Sequence, residues 1–230
     1  LLLQISLSLK VTSISGILVL ISFLGLVWLA EIPTFNYWSL RSHSLSLTHQ
    51  LFLLIPLLIG LSIKIPIVPF HSWLPDTHVE ASTPVSILLA GILLKLGTYG
   101  LLRFGIGLFP DGWVFLSPVL ATLAVVSALY GASCAIAQKD MKKVVAYSSI
   151  AHMAYILLAS SASTPLSLNA AVFQMISHGL ISALLFLLVG IVYEKTGSRD
   201  VDFLSGLFNS QHGLPITGSL IILGVMASSG

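Results

Sequence analysis

Polar positions along this chain fall in short islands, and the stretches between them stay apolar for the length of a membrane span. The apolar runs cover 13–30, 48–70, 84–108, 113–137, 144–159, 168–193 and 214–230. A run of ~20 residues crosses the ~30 Å hydrocarbon core of a bilayer as a helix. Only helices and closed barrels satisfy their backbone in lipid, and the period-2 alternation of a barrel strand is absent. The pattern predicts an all-α, polytopic transmembrane helix bundle: a single domain of about seven spans over 1–230.

The second run carries Pro66 and Pro69 just behind Lys64. Proline removes a backbone donor and clashes with the carbonyl four residues earlier, here that of Ser62. The spacing therefore predicts two half-helices hinged between Ile63 and Pro69, a break tolerated in a membrane where it lines a buried or watery cavity. His71 to Thr83 reads as a turn, with His71, Asp76, His78 and Glu80 crowded into it. Its favoured reading is a capped turn leading to a helix that starts near Ser82 and Thr83 with Pro84 in its first turn; the other is direct proton uptake. Gly91, Gly97 and Gly100 suit close helix packing in the third span.

Composition supports the membrane reading. Of 230 residues, 56% are hydrophobic and 8% charged, with a mean hydropathy of +1.02; soluble domains are about a quarter charged. The formal charge of +2 gives no argument for nucleic acid. The single Cys134 excludes a disulfide framework and a cysteine-based metal or cluster site. The chain does not begin with Met and starts and stops inside apolar sequence, so it reads as a fragment. No small-residue cleavage site follows the first span, so no signal peptide is expected there. Alternating spans put Lys10, Lys139, Lys142, Lys143, Lys195 and Arg199 on one side with the Trp73–His78 turn, and Arg41 and Arg103 on the other. The first side is the cytoplasmic, stromal or matrix side by the positive-inside rule, and Lys142 and Lys143 read as anchors there.

Candidate chemistry lies inside the spans. A charge at the bilayer centre costs roughly 2.5 to 3.5 kcal/mol on insertion scales and is usually functional, yet Lys64 and Lys95 stand in consecutive spans. Burial disfavours the charged form of an ammonium, which lets such a lysine exchange a proton; the alternative is a structural ion pair. His152 and His178 can pass protons near neutral pH. Ser148, Ser149 and Tyr155 lie one turn from His152, and Gln174 and Ser182 one turn from His178, so each set shares a helix face. Such stripes either join helices or line a hydrated path. The histidines are single, with no HxxxH or HExxH, so no metal is expected.

PFHSWLPDTHVEASTPVSILLAGILLKLGTYGLLRF, DMKKVVAYSSIAHMAY and QMISHGLISALLFLLVGIVYE resemble three blocks of the antiporter-like membrane subunits of respiratory complex I and its photosynthetic relatives. The LLLK-G-YGLLRF form and the SHGL-SALLF block are similar to the subunit 4 type, and the tail GLPITGSLIILGVMASSG to its cyanobacterial version. The resemblance implies a fourteen-helix fold with inverted repeats and a mid-membrane row of ionisable residues. In it Lys64 matches the lysine of the broken helix, Lys95 the central lysine, and His152 and His178 the linking histidines. The glutamates at the two ends of that row are expected outside 1–230, since Glu31 does not match. It further implies a proton-translocating subunit of an NAD(P)H- or ferredoxin-driven quinone oxidoreductase, surrounded by other membrane-arm subunits and lipid. NAD(P)H or ferredoxin, iron–sulfur clusters and quinone would belong to the whole complex rather than to this chain. The thylakoid membrane is the expected location, with a bacterial plasma membrane or organelle inner membrane as alternatives. The rival is a subunit of a multi-subunit cation/proton antiporter.

Overall fold

The structure, a computed structural model, describes residues 2–31, 34–43, 45–203, 218–220 and 223–224. Six of its helices are long and apolar enough to cross a membrane. They are α1 (Leu2–Leu29), α3 (Leu47–Lys64), α5 (Thr83–Ile106), α6 (Pro110–Ile136), α7 (Met141–Ala162) and α8 (Pro165–Thr196). Two short helices, α2 (Tyr37–Ser42) and α4 (Trp73–Glu80), lie between them. The run expected at 214–230 lies mostly outside the described residues.

Helix ends follow local chemistry. Asp140 caps α7 by accepting from the Lys142 and Lys143 amides. Thr164 and Ser167 form a reciprocal capping box at α8, with Pro165 in the first turn. Gly197 ends α8 at φ +70, a conformation glycine adopts without a Cβ penalty. Helix α5 starts at Thr83 after Ser82, with Pro84 in its first turn. Its hydrogen bonding widens to the i→i+5 pattern over Leu89–Leu93 and Leu101–Ile106, on either side of Lys95.

The core runs through α3, α5, α6 and α7 and includes Leu54, Leu57, Leu94, Leu101, Trp113 and Ile150. Outward faces stay apolar, as with Ile17 and Leu20 of α1 and Phe173 and Leu180 of α8. At one end, Lys139 pairs with Asp202 at 2.6 Å and the segments around Asp140 and Asp200 form a backbone bridge. That end also holds Lys142 and Arg199. Arg103 stacks over the Tyr37 ring at 3.9 Å and Arg41 lies near Trp38 at the other end.

The stretch expected to be a turn contains a helix. Trp73–Glu80 forms two helical turns with Leu74, Pro75 and His78 buried. The reason is packing: α4 folds back against α7 and α1, so its apolar residues gain burial that an exposed turn would lack.

Candidate proton-transfer site

Lys95 stands at the start of the straight portion of α5, just after the first widened stretch. Its ammonium curls back to its own helix and donates to the Ala90 carbonyl at 2.6 Å. The same Nζ lies 2.7 Å from Nδ1 of His178, on the buried face of α8. Close approach of α5 and α8 makes this possible: a Cβ on Gly179 would come within 3.1 Å of the Gly91 carbonyl and 3.4 Å of Lys95 Cε. Beside the pair, a cleft of about 430 Å³ opens between the two helices, lined by Gly91, Lys95, Met175 and Gly179 among others.

His178 leads on to α7. Its ring centroid is 5.3 Å from that of His152, with the planes tilted by 39°. Gln174 Nε2 donates to His152 Nδ1 at 3.1 Å. Three helices thus contribute one sequence of polar groups, Lys95, His178, His152 and Gln174. Each histidine has a nitrogen placed to accept, so both are suited to hand on a proton through their two-nitrogen rings.

The neighbours differ from the sequence spacing. Gln174, one turn from His178, serves His152 across the helix interface. Ser148 and Ser149 both bond the Val145 carbonyl, and Ser182 bonds the carbonyl of His178 rather than its ring. Serines within helices commonly satisfy themselves on the preceding turn, so sharing a face with a histidine did not give them a bond to it. Tyr155 meets the His152 ring edge-on at 5.7 Å and is itself half exposed.

Lys64 lies apart from this set. It is the last residue of α3, and the glycine at 97 lets the end of α3 press against α5: a Cβ there would meet Lys64 Cβ at 3.2 Å. The break is therefore level with the middle of α5. Lys64 lines a cavity of about 180 Å³ with Trp73, Leu89 and Leu93, on a different face of α5 from the one that carries Lys95. Pro66 and Pro69 fall in the nonhelical stretch 65–72. Ser127 of α6, a residue the sequence reading passed over, accepts from the Val68 amide there at 3.1 Å. The Trp73 indole donates to Ile63 O at 2.9 Å across the break. No sequence signal set Ser127 apart, since Ser117, Thr122 and Ser133 stand in the same apolar run.

The four residues crowded together in sequence around α4 separate in space. Asp76 and Glu80 face outward. His71 stacks edge-on against Tyr130 at 4.8 Å; burial lowers its pKa, partly opposed by the Pro69 carbonyl. His78 is fully buried, stacked on Phe186 of α8 at 4.2 Å, and neither ring nitrogen has a protein partner. Burial, reinforced by the Lys142 ammonium, pushes His78 down to about 3. Lys142, expected as a surface anchor, is also buried, because it reaches into the junction of α4 and α5. Among the described residues no three His, Cys, Asp or Glu side chains converge as metal ligands.

A family model described as "NADH:quinone oxidoreductase/Mrp antiporter, TM" matches residues 6–230. The chain belongs to this family. It is 44% identical over 217 residues to NAD(P)H-quinone oxidoreductase chain 4 1 of Synechococcus sp., covering 94% of this chain and 40% of that relative. It is 41% identical to chain 4-2 of Synechocystis sp., covering 94% and 38%. The chain thus spans about two fifths of the length of the curated relatives it matches. Among solved structures, a chain of respiratory complex I from Thermus thermophilus with bound NADH superposes with a TM-score of 0.88 at 31% identity, over 97% of this chain and 47% of that one. The Mrp complex from Dietzia sp. matches with the same TM-score at 24% identity, over 100% and 42%, and shares the fold.

Proposed function

We propose that this chain is a proton-translocating, antiporter-like membrane subunit of the chain 4 type in an NAD(P)H- or ferredoxin-driven quinone oxidoreductase. The observation that carries the reading is the 2.7 Å contact between Lys95 Nζ and His178 Nδ1, continued towards His152 within three membrane-length helices. At that distance a proton on the ammonium needs only a small displacement to reach the imidazole. The two imidazole rings stand close enough for one water to bridge them. Lys95 stores the proton, and His178 and His152 relay it. Lys64, at the break, biases the store electrostatically from the other side of α5.

In this reading the redox carriers, NAD(P)H or ferredoxin, iron–sulfur clusters and quinone, belong to other subunits of the complex. The partners are further antiporter-like membrane-arm subunits and lipid, and the location is the cyanobacterial thylakoid membrane with plastoquinone as acceptor. The relatives named as NAD(P)H-quinone oxidoreductase chains favour this over a cation/proton antiporter, for which the Dietzia structure supports only a shared fold.

The test is Lys95→Ala in the assembled complex. Protons pumped and quinone reduced are followed together in proteoliposomes. Assembly persists, and coupled turnover falls by about 10²-fold or more, the lower range for losing a positioned acid–base group. Unchanged pumping per electron would make Lys95 a structural residue and remove the proposal's central claim.

A further inference from the structure

The end of α4 is held from two directions by side chains that the proton route does not use. Lys142 Nζ, at the start of α7, donates to the Ala81 carbonyl at 2.7 Å. Arg199 Nη1, just beyond α8, donates to the Val79 carbonyl at 3.1 Å. Both acceptors lie at the carbonyl end of α4, where a helix leaves its last C=O groups without intrahelical donors and where its dipole favours cations. Lys142 exposes only 5% of its surface, a costly place for an ammonium without such an acceptor.

Both cations stand on one frame. Arg199 Nε is 3.6 Å from Asp140 Oδ2. The Met141 amide donates to Arg199 O at 3.0 Å, and the Val201 amide to Lys139 O at 2.9 Å. Asp140 Oδ1 in turn accepts from the Lys142 amide at 2.8 Å. The start of α7 and the exit of α8 are thereby joined, and α4 hangs from the joint.

Helix α4 cannot hold itself. It has eight residues and no side-chain bond at its N-cap, and isolated helices shorter than ~12–15 residues are marginal in water. Its far end carries Trp73, which bonds Ile63 O and walls the Lys64 cavity. A shift of α4 is therefore transmitted to the surroundings of Lys64.

We propose that Lys142 and Arg199 are positioning residues: a two-cation clamp on the carbonyl end of α4 that fixes Trp73 against Ile63 and keeps the Lys64 cavity closed to water from the positively charged face. Only its consequence for turnover rests on the proposed function; the clamp itself is read at rest. In the full complex, Cys134→Ala removes the one thiol within residues 1–230, and Leu89→Cys reports on the cavity through the rate at which its own peptide is labelled by a water-soluble maleimide. Lys142→Gln or Arg199→Gln raises that rate about five-fold or more, the equivalent of losing one cation at a helix C-terminus. Arg199→Lys recovers part of the closure, because an ammonium can still reach one carbonyl. A control thiol at Ala124, fully buried in α6, stays unlabelled throughout, and coupled turnover falls in the same order of variants. Unchanged labelling at position 89 overturns the clamp, and so does an equal rise at position 124, which would mean general loosening. A selective rise at 89 with normal coupled turnover supports the clamp and counts against a proton role for Lys64.

Discussion

An ammonium has three N–H donors, and at Lys95 the Ala90 carbonyl and His178 account for two. In the proposed route a residue at this position both makes these bonds and gives up a proton. Arginine makes such bonds but does not deprotonate in proteins, so Lys95→Arg should assemble and still fail to pump; restored proton uptake per electron would disprove the store. His178→Ala and His152→Ala should each slow coupled turnover less than Lys95→Ala does, since water can stand in for a relay. His178→Ala should be the worse of the two because its ring touches the lysine, and the reverse order would place the route elsewhere. Lys95, His152 and His178, which the structure brings together, were legible in the sequence because their cost in an apolar span is large. The hydroxyl partners were not, because helical spacing gives a face but not the choice between a ring nitrogen and the preceding turn's carbonyl, which Ser149 and Ser182 took. Spacing within one helix was equally silent about Gln174, whose partner is on another.

Helices here meet at glycines, and the surroundings of each glycine decide what a substitution does. A Cβ on Gly131 of α6 would come within 2.9 Å of the Ala151 amide nitrogen and 3.1 Å of the Tyr147 carbonyl, both backbone atoms that cannot step aside. Gly131→Ala should therefore destabilise by about 1 to 3 kcal/mol, the usual range for overpacking. At Gly16 of α1 nothing lies within 4 Å, and alanine there should stabilise by about 0.5 to 1 kcal/mol through helix propensity. Thermal unfolding of the purified protein in detergent reads both, and equal effects would mean that packing does not set the order. Ser127→Ala should cost about 1 to 3 kcal/mol by stranding the Val68 amide at the break; no loss would mean the amide finds another acceptor. Helices α5 to α8 were legible to within a few residues, as with the expected 84–108 and the observed Thr83–Ile106, because their apolar runs are long and their ends carry Pro, Gly, Asp and Thr; α1 instead starts at Leu2 rather than 13, and α3 stops at Lys64 rather than 70, where Pro66 ends it. Helix α4 was not, since WLPDTHVE has too few apolar residues to reveal a face and owes its helix to α7 and α1.

For the molecule as a whole, His78 sets an acid limit. Unfolded, its ring titrates near 6.5; folded, it is held down to about 3. Above the unfolded value both states are neutral and the group has no effect. As pH falls below it, only the unfolded chain takes up the proton, so stability declines through the window and levels off near the folded value. His78→Phe, which keeps the stacking on Phe186, should flatten this part of the stability-against-pH curve measured by thermal melting. An unchanged slope would assign the acid limit to another group. The widened stretches of α5 have a historical side as well. Each behaves as a helix that has absorbed an additional residue without breaking, and each residue turns a helix by about 100°. Removing one position from Leu89–Leu93 would return that stretch to the ordinary i→i+4 pattern and leave the two halves of α5 facing as they do now. A descendant with that deletion would align with this chain lysine for lysine, with a single gap in the middle of a span, and would still present its Lys95 counterpart to α8.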